Sequence, residues 1–262
     1  MNTITKPIAV LLDVDKPLQC QQLAEQLRLS LVSEEQRENY SYLLVFTAHG
    51  LAIVQTGAKA AGPVFVDFSS GTTDHRRKQG GGELIVKAVA GSKSQLPVVL
   101  DTTAGLGRDS FVLASRGYSV TLCERSAVIA AVLADGLQRG LDSSDSELRA
   151  IVQRMQLKRM DALAYMRTEA QLSPPDVVVI DPMFPHSKKS ALVKKDMQAF
   201  QQLVGADEDS DQLLMQALLI AKHRVVVKRP KKAEFLAARK PNFSVAGKAI
   251  RFDIYSLKAF AK

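Results

Sequence analysis

The run Val177-Val178-Val179-Ile180, bounded by Asp176 and by Asp181-Pro182, constrains this 262-residue chain more than any other stretch. Four consecutive branched apolar residues leave no polar side for water, so the segment predicts a strand buried on both faces at the centre of a parallel sheet. Parallel neighbours need crossover connections, and from about Glu83 onward helical and strand patterns alternate as such connections require. The pattern predicts helices at 83–90, 110–116, 127–138, 146–154, from Ala162, 191–203 and 211–223. Strands are predicted at 98–100, 119–123, 155–160, 176–180 and 224–227, with a terminal antiparallel hairpin of 244–246 and 250–257 around Gly247-Lys248. Gly117 is placed to end one helix in a left-handed cap. Ser126 can cap the next, with Gly140 just past its end.

The fold class is therefore α/β: a Rossmann-like sheet of about seven mostly parallel strands, with a small N-terminal α+β domain. Residues 1–74 form that accessory domain and 75–262 the larger one. In the first, 8–12 reads as a strand, 19–29 as a helix, and 42–47 with 51–56 as a hairpin turning at Ala48-His49-Gly50, with a further strand at 64–68. A basic, glycine-rich junction at 75–82 carries Arg76, Arg77 and Lys78, which suit a solvated linker, an RNA-phosphate contact or a lid over a cofactor.

Composition narrows the class. Hydrophobic residues at 46% and charged residues at 24% match folded globular proteins, and a formal charge of +8 favours a polyanionic partner. Cys20 and Cys123 lie far apart, without the short pair spacing of zinc or redox sites, so no metal is expected and both read as reduced thiols. No apolar run of about 18 residues predicts a membrane span, and Met1–Val10 lacks the pattern of a secretory signal, so the cytoplasm is the expected location.

Ligands of such sheets bind at the carboxyl ends of the strands, near the point where strand order reverses. The unusual residues fall at those ends. Strand 98–100 runs into Asp101 and the loop of Gly105 and Gly107, whose glycines let backbone N–H groups approach a ligand. The next strand ends at Glu124, nineteen residues after Gly105, the spacing at which a carboxylate meets a ribose diol. Strand 155–160 ends at Asp161-Ala162, where the acid could read an adenine amine or cap a helix.

Asp181-Pro182-Met183-Phe184, after the central strand, resembles the [Asp/Asn/Ser]-Pro-Pro-[Tyr/Phe] motif of amino-methylating enzymes, with Met183 replacing the second proline. An exocyclic base amine is a poor nucleophile, because its lone pair is delocalised into the ring. A carboxylate at Asp181 and the carbonyl of Pro182 accepting its N–H bonds can turn that lone pair toward a methyl group, and Phe184 can stack on the base. The basic residues Lys188, Lys189, Lys228, Arg229, Lys231 and Lys232 leave the same strand ends and suit an RNA backbone around a target base. A nicotinamide enzyme would share Gly105, Gly107 and Glu124 but gives no role to Asp181-Pro182-Met183-Phe184. A non-enzymatic ribosome assembly factor would need only the basic face.

The segments DTTAGLGRDSFVLASRG, ERSAVIAAVLADGLQRG, DPMFPHSKKSALVKKDMQAFQQLVG and RVVVKRP, together with HRRKQGGG, resemble the RsmJ family of small-subunit ribosomal RNA guanine-N2 methyltransferases over about 74–230. The resemblance implies a Rossmann-like methyltransferase domain that uses S-adenosylmethionine to methylate N2 of one guanine near the 3′ end of 16S ribosomal RNA. It also implies cofactor contacts at Arg108, Asp109, Glu124, Arg125, Asp161, Ala162 and Asp181. The expected mechanism needs no metal, and the partner is 16S ribosomal RNA, either naked or within the small ribosomal subunit.

Overall fold

The computed structural model describes residues 8–58, 60–69, 83–90, 96–182 and 209–260. Among them, two sheets form. The first has the order β2-β1-β3-β4, from β1 (Ile8–Leu11), β2 (Leu31–Val32), β3 (Tyr42–Thr47) and β4 (Gly50–Gln55). Helix α1 (Pro17–Leu27) crosses from β1 to its parallel neighbour β2. Proline at its first position loses no helical hydrogen bond, and Arg28 closes it in the left-handed region at φ 54°. β3 and β4 pair antiparallel through the tight turn at Ala48-His49.

The second sheet has seven strands in the order β10-β11-β9-β8-β5-β6-β7. These are β5 (Val99–Asp101), β6 (Val120–Cys123), β7 (Met155–Lys158), β8 (Val177–Ile180), β9 (Arg224–Pro230), β10 (Phe243–Ala246) and β11 (Ile250–Ser256). β5 to β9 are parallel, and β11 runs antiparallel to β9 and to β10. All four residues of β8 are buried, as expected for a strand covered on both faces. The connecting helices are α2 (Leu84–Val89), α3 (Arg108–Ser115), α4 (Ala127–Leu141), α5 (Ser146–Val152), α6 (Ala162–Arg167), α7 (Glu169–Leu172) and α8 (Ser210–Ile220). Ser126 caps α4 by accepting from the Ile129 N–H, and Asp145 caps α5 by accepting from Glu147 and Leu148. Gly117, at φ 90°, turns the chain after α3.

α4 is the element on which both sheets meet. Its Asp135 Oδ2 accepts from the Leu51 N–H at 3.0 Å and from Arg139 Nε at 2.9 Å, while Arg139 Nη2 donates to the Val66 carbonyl. One buried cluster runs from Val10, Tyr42 and Ile53 through Val66 and Leu133 to Phe111 and Val99. Close approach requires glycine here. A Cβ on Gly136 would lie 2.3 Å from Val66 Cγ1 and 3.2 Å from its carbonyl oxygen. Gly136→Ala is therefore expected to lower the unfolding free energy by about 1–3 kcal/mol, the overpacking cost outweighing the better helix propensity. Urea unfolding monitored by circular dichroism measures it, and an unchanged midpoint would mean the contact relaxes freely.

Three sequence expectations change. Gly140 lies inside α4, which runs on to Leu141; the helix passes so close to α5 that a Cβ there would meet Val152 Cγ2 at 2.7 Å. The 64–68 strand reduces to a bridge of Val64 with Ile53, because the chain then turns to lay Val66 and Phe68 against the core. β9 extends to Pro230, since β11 pairs with it over seven residues, from Ile250 opposite Pro230 to Ser256 opposite Arg224. The 191–203 helix and the 75–82 junction lie outside the described residues. Among the described residues, no helix is long and apolar enough to cross a membrane.

Candidate active site

β5 has β6 on one side and β8 on the other, so the chain proceeds β5-β6-β7 outward and then returns across β5 to β8 and β9. Strand order reverses between β5 and β8, the place where open α/β sheets leave a crevice for ligands. Asp101 ends one of these strands and Asp181 follows the other. The two ends are laced together: Thr102 Oγ1 donates to the Val179 carbonyl at 2.9 Å, and the Asp181 N–H donates to Thr103 Oγ1 at 2.7 Å.

The loop after β5 is held from within. Asp101 is buried, and its carboxylate accepts from Ser110 Oγ at 2.5 Å and from the Thr103 N–H at 3.1 Å. Burial pushes its pKa up to about 6 against those two hydrogen bonds, with Asp109 and Asp181 adding to the rise. Gly107 turns into α3 at φ 70°, with Leu133 so near that a Cβ would lie 2.9 Å from its Cδ1. Gly105 donates its N–H to Glu124 Oε2 at 2.9 Å, and Glu124 Oε1 accepts from the Ser126 N–H at 2.7 Å. Glu124 is only 6% exposed, and burial pushes its pKa up to about 7, opposed by the same two bonds. The glycine loop and the acid nineteen residues later thus meet through a direct hydrogen bond.

Asp161 Oδ1 accepts from the Ala164 N–H at 2.9 Å and caps α6, with Ala162 buried at the helix start. Arg125 reaches Asp209, at the start of α8, with Nη1 3.0 Å from Oδ1. Arg108 is exposed at the first position of α3. Cys123, at the end of β6, has its thiol pushed up to about 12 by burial and the nearby Asp101 and Asp161 charges, which makes it a packing residue and not a nucleophile.

Lys228 differs from its expected place. Sequence reasoning put it among exposed RNA-facing cations; instead its Nζ lies 2.7 Å from Asp109 Oδ2 and 2.7 Å from Asp181 Oδ2. Burial pulls the ammonium's pKa down, but the charges of Asp181 and Asp109 outweigh it and hold the group above the ordinary lysine range. Arg229, on the other face of β9, is 5% exposed and donates to the Glu234 carbonyl beside the Arg251–Asp253 ion pair of β11, so it is held within the fold and does not face a phosphate backbone. Lys231 and Lys232 are exposed just past β9. Pro182 is buried, whereas Phe184, Lys188, Lys189, Arg76, Arg77 and Lys78 lie outside the described residues.

A seven-stranded sheet with an antiparallel terminal hairpin, carboxylates at successive strand ends and a glycine loop at the reversal point together form a crevice suited to an adenosine-containing ligand. Residues 22–257 match the family model described as "Putative SAM-dependent methyltransferase", and the chain belongs to that family of S-adenosylmethionine-dependent methyltransferases. A crystal structure of a SAM-dependent methyltransferase from Neisseria gonorrhoeae superposes with a TM-score of 0.73 at 37% identity, over 95% of both chains. Within the class, the relatives named ribosomal RNA small subunit methyltransferase J are 49% identical in Marinobacter nauticus, over 88% of this chain and 83% of that one, and 48% in Pseudomonas aeruginosa (strain LESB58), over 91% and 90%. The relative of the same name in Coxiella burnetii (strain RSA 331 / Henzerling II) is 47% identical over 92% of each chain.

Proposed function

We propose that this enzyme transfers the methyl of S-adenosylmethionine to the exocyclic N2 of a guanine in 16S ribosomal RNA, acting in the cytoplasm on the RNA or on the small subunit. The observation that carries the reading is the position of Asp181. Its carboxylate is 43% exposed at the end of the central strand, beside the glycine loop.

The residues fit the cofactor. Its ribose diol offers hydrogen-bond donors, and its ammonium and sulfonium are cationic, so acceptor-rich anionic surroundings are required. Glu124 uses one lone pair on each oxygen for the loop N–H groups and keeps further acceptor capacity for a diol. Asp101, Asp109 and Asp181 supply negative charge near the reversal point, Arg108 a cation for the carboxylate end, and Asp161-Ala162 groups for the adenine edge. Arg125, exposed beside Glu124, completes the set carried by the family resemblance. Bound S-adenosylmethionine supplies an electrophilic methyl with a neutral thioether as leaving group. The protein's own part is to position. Asp181 and the Pro182 carbonyl accept from the target amine, and Phe184 stacks on a base drawn out of its helix.

Labelled methyl transfer to small-subunit RNA, with the product nucleoside identified by mass spectrometry, tests the reading. N2-methylguanosine is expected, and a methyl on a ring carbon or ribose oxygen would overturn it. RNA docking is tested separately through Lys231 and Lys232. Replacing both with glutamine is expected to flatten the salt dependence of RNA affinity by roughly 1.4 in the log–log slope and to weaken binding about tenfold at 0.1 M salt. An unchanged slope would assign these lysines to the solvated surface, and cofactor affinity should not move.

A further inference from the structure

The ion pairs of Lys228 give its charge a use that phosphate binding does not account for. In the β8–β9 ladder Ile180 lies opposite Val227, so Lys228 is level with Asp181 just past the paired strands. On its other side β11 presents Phe252, an apolar and buried neighbour. The ammonium therefore has a closed side and an acidic side, and on the acidic side it spans from β8 to the first turn of α3, 2.7 Å from a carboxylate oxygen on each. Asp101 of β5 is a third, buried carboxyl near enough to feel the charges of both. Two anions converging on one point repel unless a cation stands between them. A lysine held this firmly charged at neutral pH cannot serve as a proton acceptor, and with two donors committed to carboxylates it is poorly free to grip RNA.

We propose that Lys228 is a positioning residue for methyl transfer: its ammonium fixes the Asp181 carboxylate in the orientation that accepts from the target amine and ties it to Asp109 on the cofactor-binding helix. The inference rests on the amine-orienting reading of Asp181. It makes the two halves of the site, one from β5-α3 and one from β8, adjust together.

Lys228→Met keeps the aliphatic stem and removes the charge. It is expected to lower kcat by about 30-fold or more, as a misplaced reacting group does, while KM for RNA stays within about threefold. The cluster also becomes one charge more negative, so calorimetry should find the affinity for cationic S-adenosylmethionine raised relative to neutral-sulfur S-adenosylhomocysteine by about threefold or more. Lys228→Cys alkylated with 2-bromoethylamine restores an ammonium at nearly the same reach and should recover about tenfold in kcat or more. Cys20 and Cys123 are both buried, which directs the reagent to the introduced thiol.

A rise in KM with kcat intact would overturn the proposal and return Lys228 to the RNA-binding surface. Loss of kcat without rescue by aminoethylation, or an unmoved affinity ratio, would overturn it as well. If Lys228→Met does not fold, Lys228→Gln keeps much of the stem and two N–H donors without the charge and decides alone: a kcat within about twofold of wild type rejects positioning by the ammonium. The affinity ratio is independent of the acceptor, so a wild-type enzyme that left guanine N2 unmethylated would refute the substrate reading and leave this arm interpretable.

Discussion

Asp181→Asn is expected to slow methyl transfer by roughly 10²–10³-fold, the range seen when one preorganised electrostatic contact is removed from a catalytic site. Asparagine preserves the shape and one acceptor oxygen, but it loses the anion and can turn its own N–H groups toward the guanine amine. The change should be silent for folding. The Asp181 backbone N–H still donates to Thr103, and Lys228 still has Asp109 as its ion-pair partner. Single-turnover methylation with saturating cofactor isolates the chemical step. Turnover within about fivefold of wild type in a folded protein would remove Asp181 from the chemistry and move the search to other acceptors near the reversal point.

Glu124→Ala is expected to weaken S-adenosylmethionine binding by about 1.5–3 kcal/mol, roughly 10- to 150-fold, for loss of hydrogen bonds to a charged acceptor. Titration calorimetry measures this, with circular dichroism as the folding control because the same carboxylate anchors Gly105 and Ser126. Proton linkage adds a second signature. Hydroxyl donors favour the anion, and burial holds the free enzyme's Glu124 at about 7, so wild-type affinity should fall as pH drops below that value and the mutant's should not. The stability of the free protein should move the other way. Between the ordinary value of 4.5 and about 7 the folded Glu124 binds more protons than the unfolded chain, so its contribution is present at low pH and lost as pH rises through that window. Asp101 acts in the same direction between 3.8 and about 6.

The strand-end residues were legible because their cues are local. A buried apolar run, a glycine loop and an acid nineteen residues on all belong to single β-α units, and the structure joins Gly105 to Glu124 by one hydrogen bond. Asp161 was legible as either adenine contact or helix cap, and the cap is visible in its bond to Ala164. Lys228 was not legible. Its partners lie 119 and 47 residues away, and its neighbours Arg229, Lys231 and Lys232 made it look like part of a solvated basic run. β-strand alternation splits that run: Lys228 turns to the site, Arg229 turns inward, and the lysines beyond Pro230 are the exposed ones. Gly140 misled for a related reason, since a glycine that ends a helix and one that admits a neighbouring helix look alike until Val152 is seen beside it.

The seating of the first sheet on α4 bears on how the chain folds as it is made. β1 to β4 are complete by Gln55, yet the helix carrying Asp135, Gly136 and Arg139 ends only at Leu141. At about 5–20 residues per second, the nascent sheet waits roughly 4–17 s for the surface that covers Leu51, Ile53 and Val66. During that interval its apolar face is open to the solvent and to other nascent chains. Synonymous changes that slow translation between β4 and α4 would lengthen the exposure without altering a single residue of the finished enzyme.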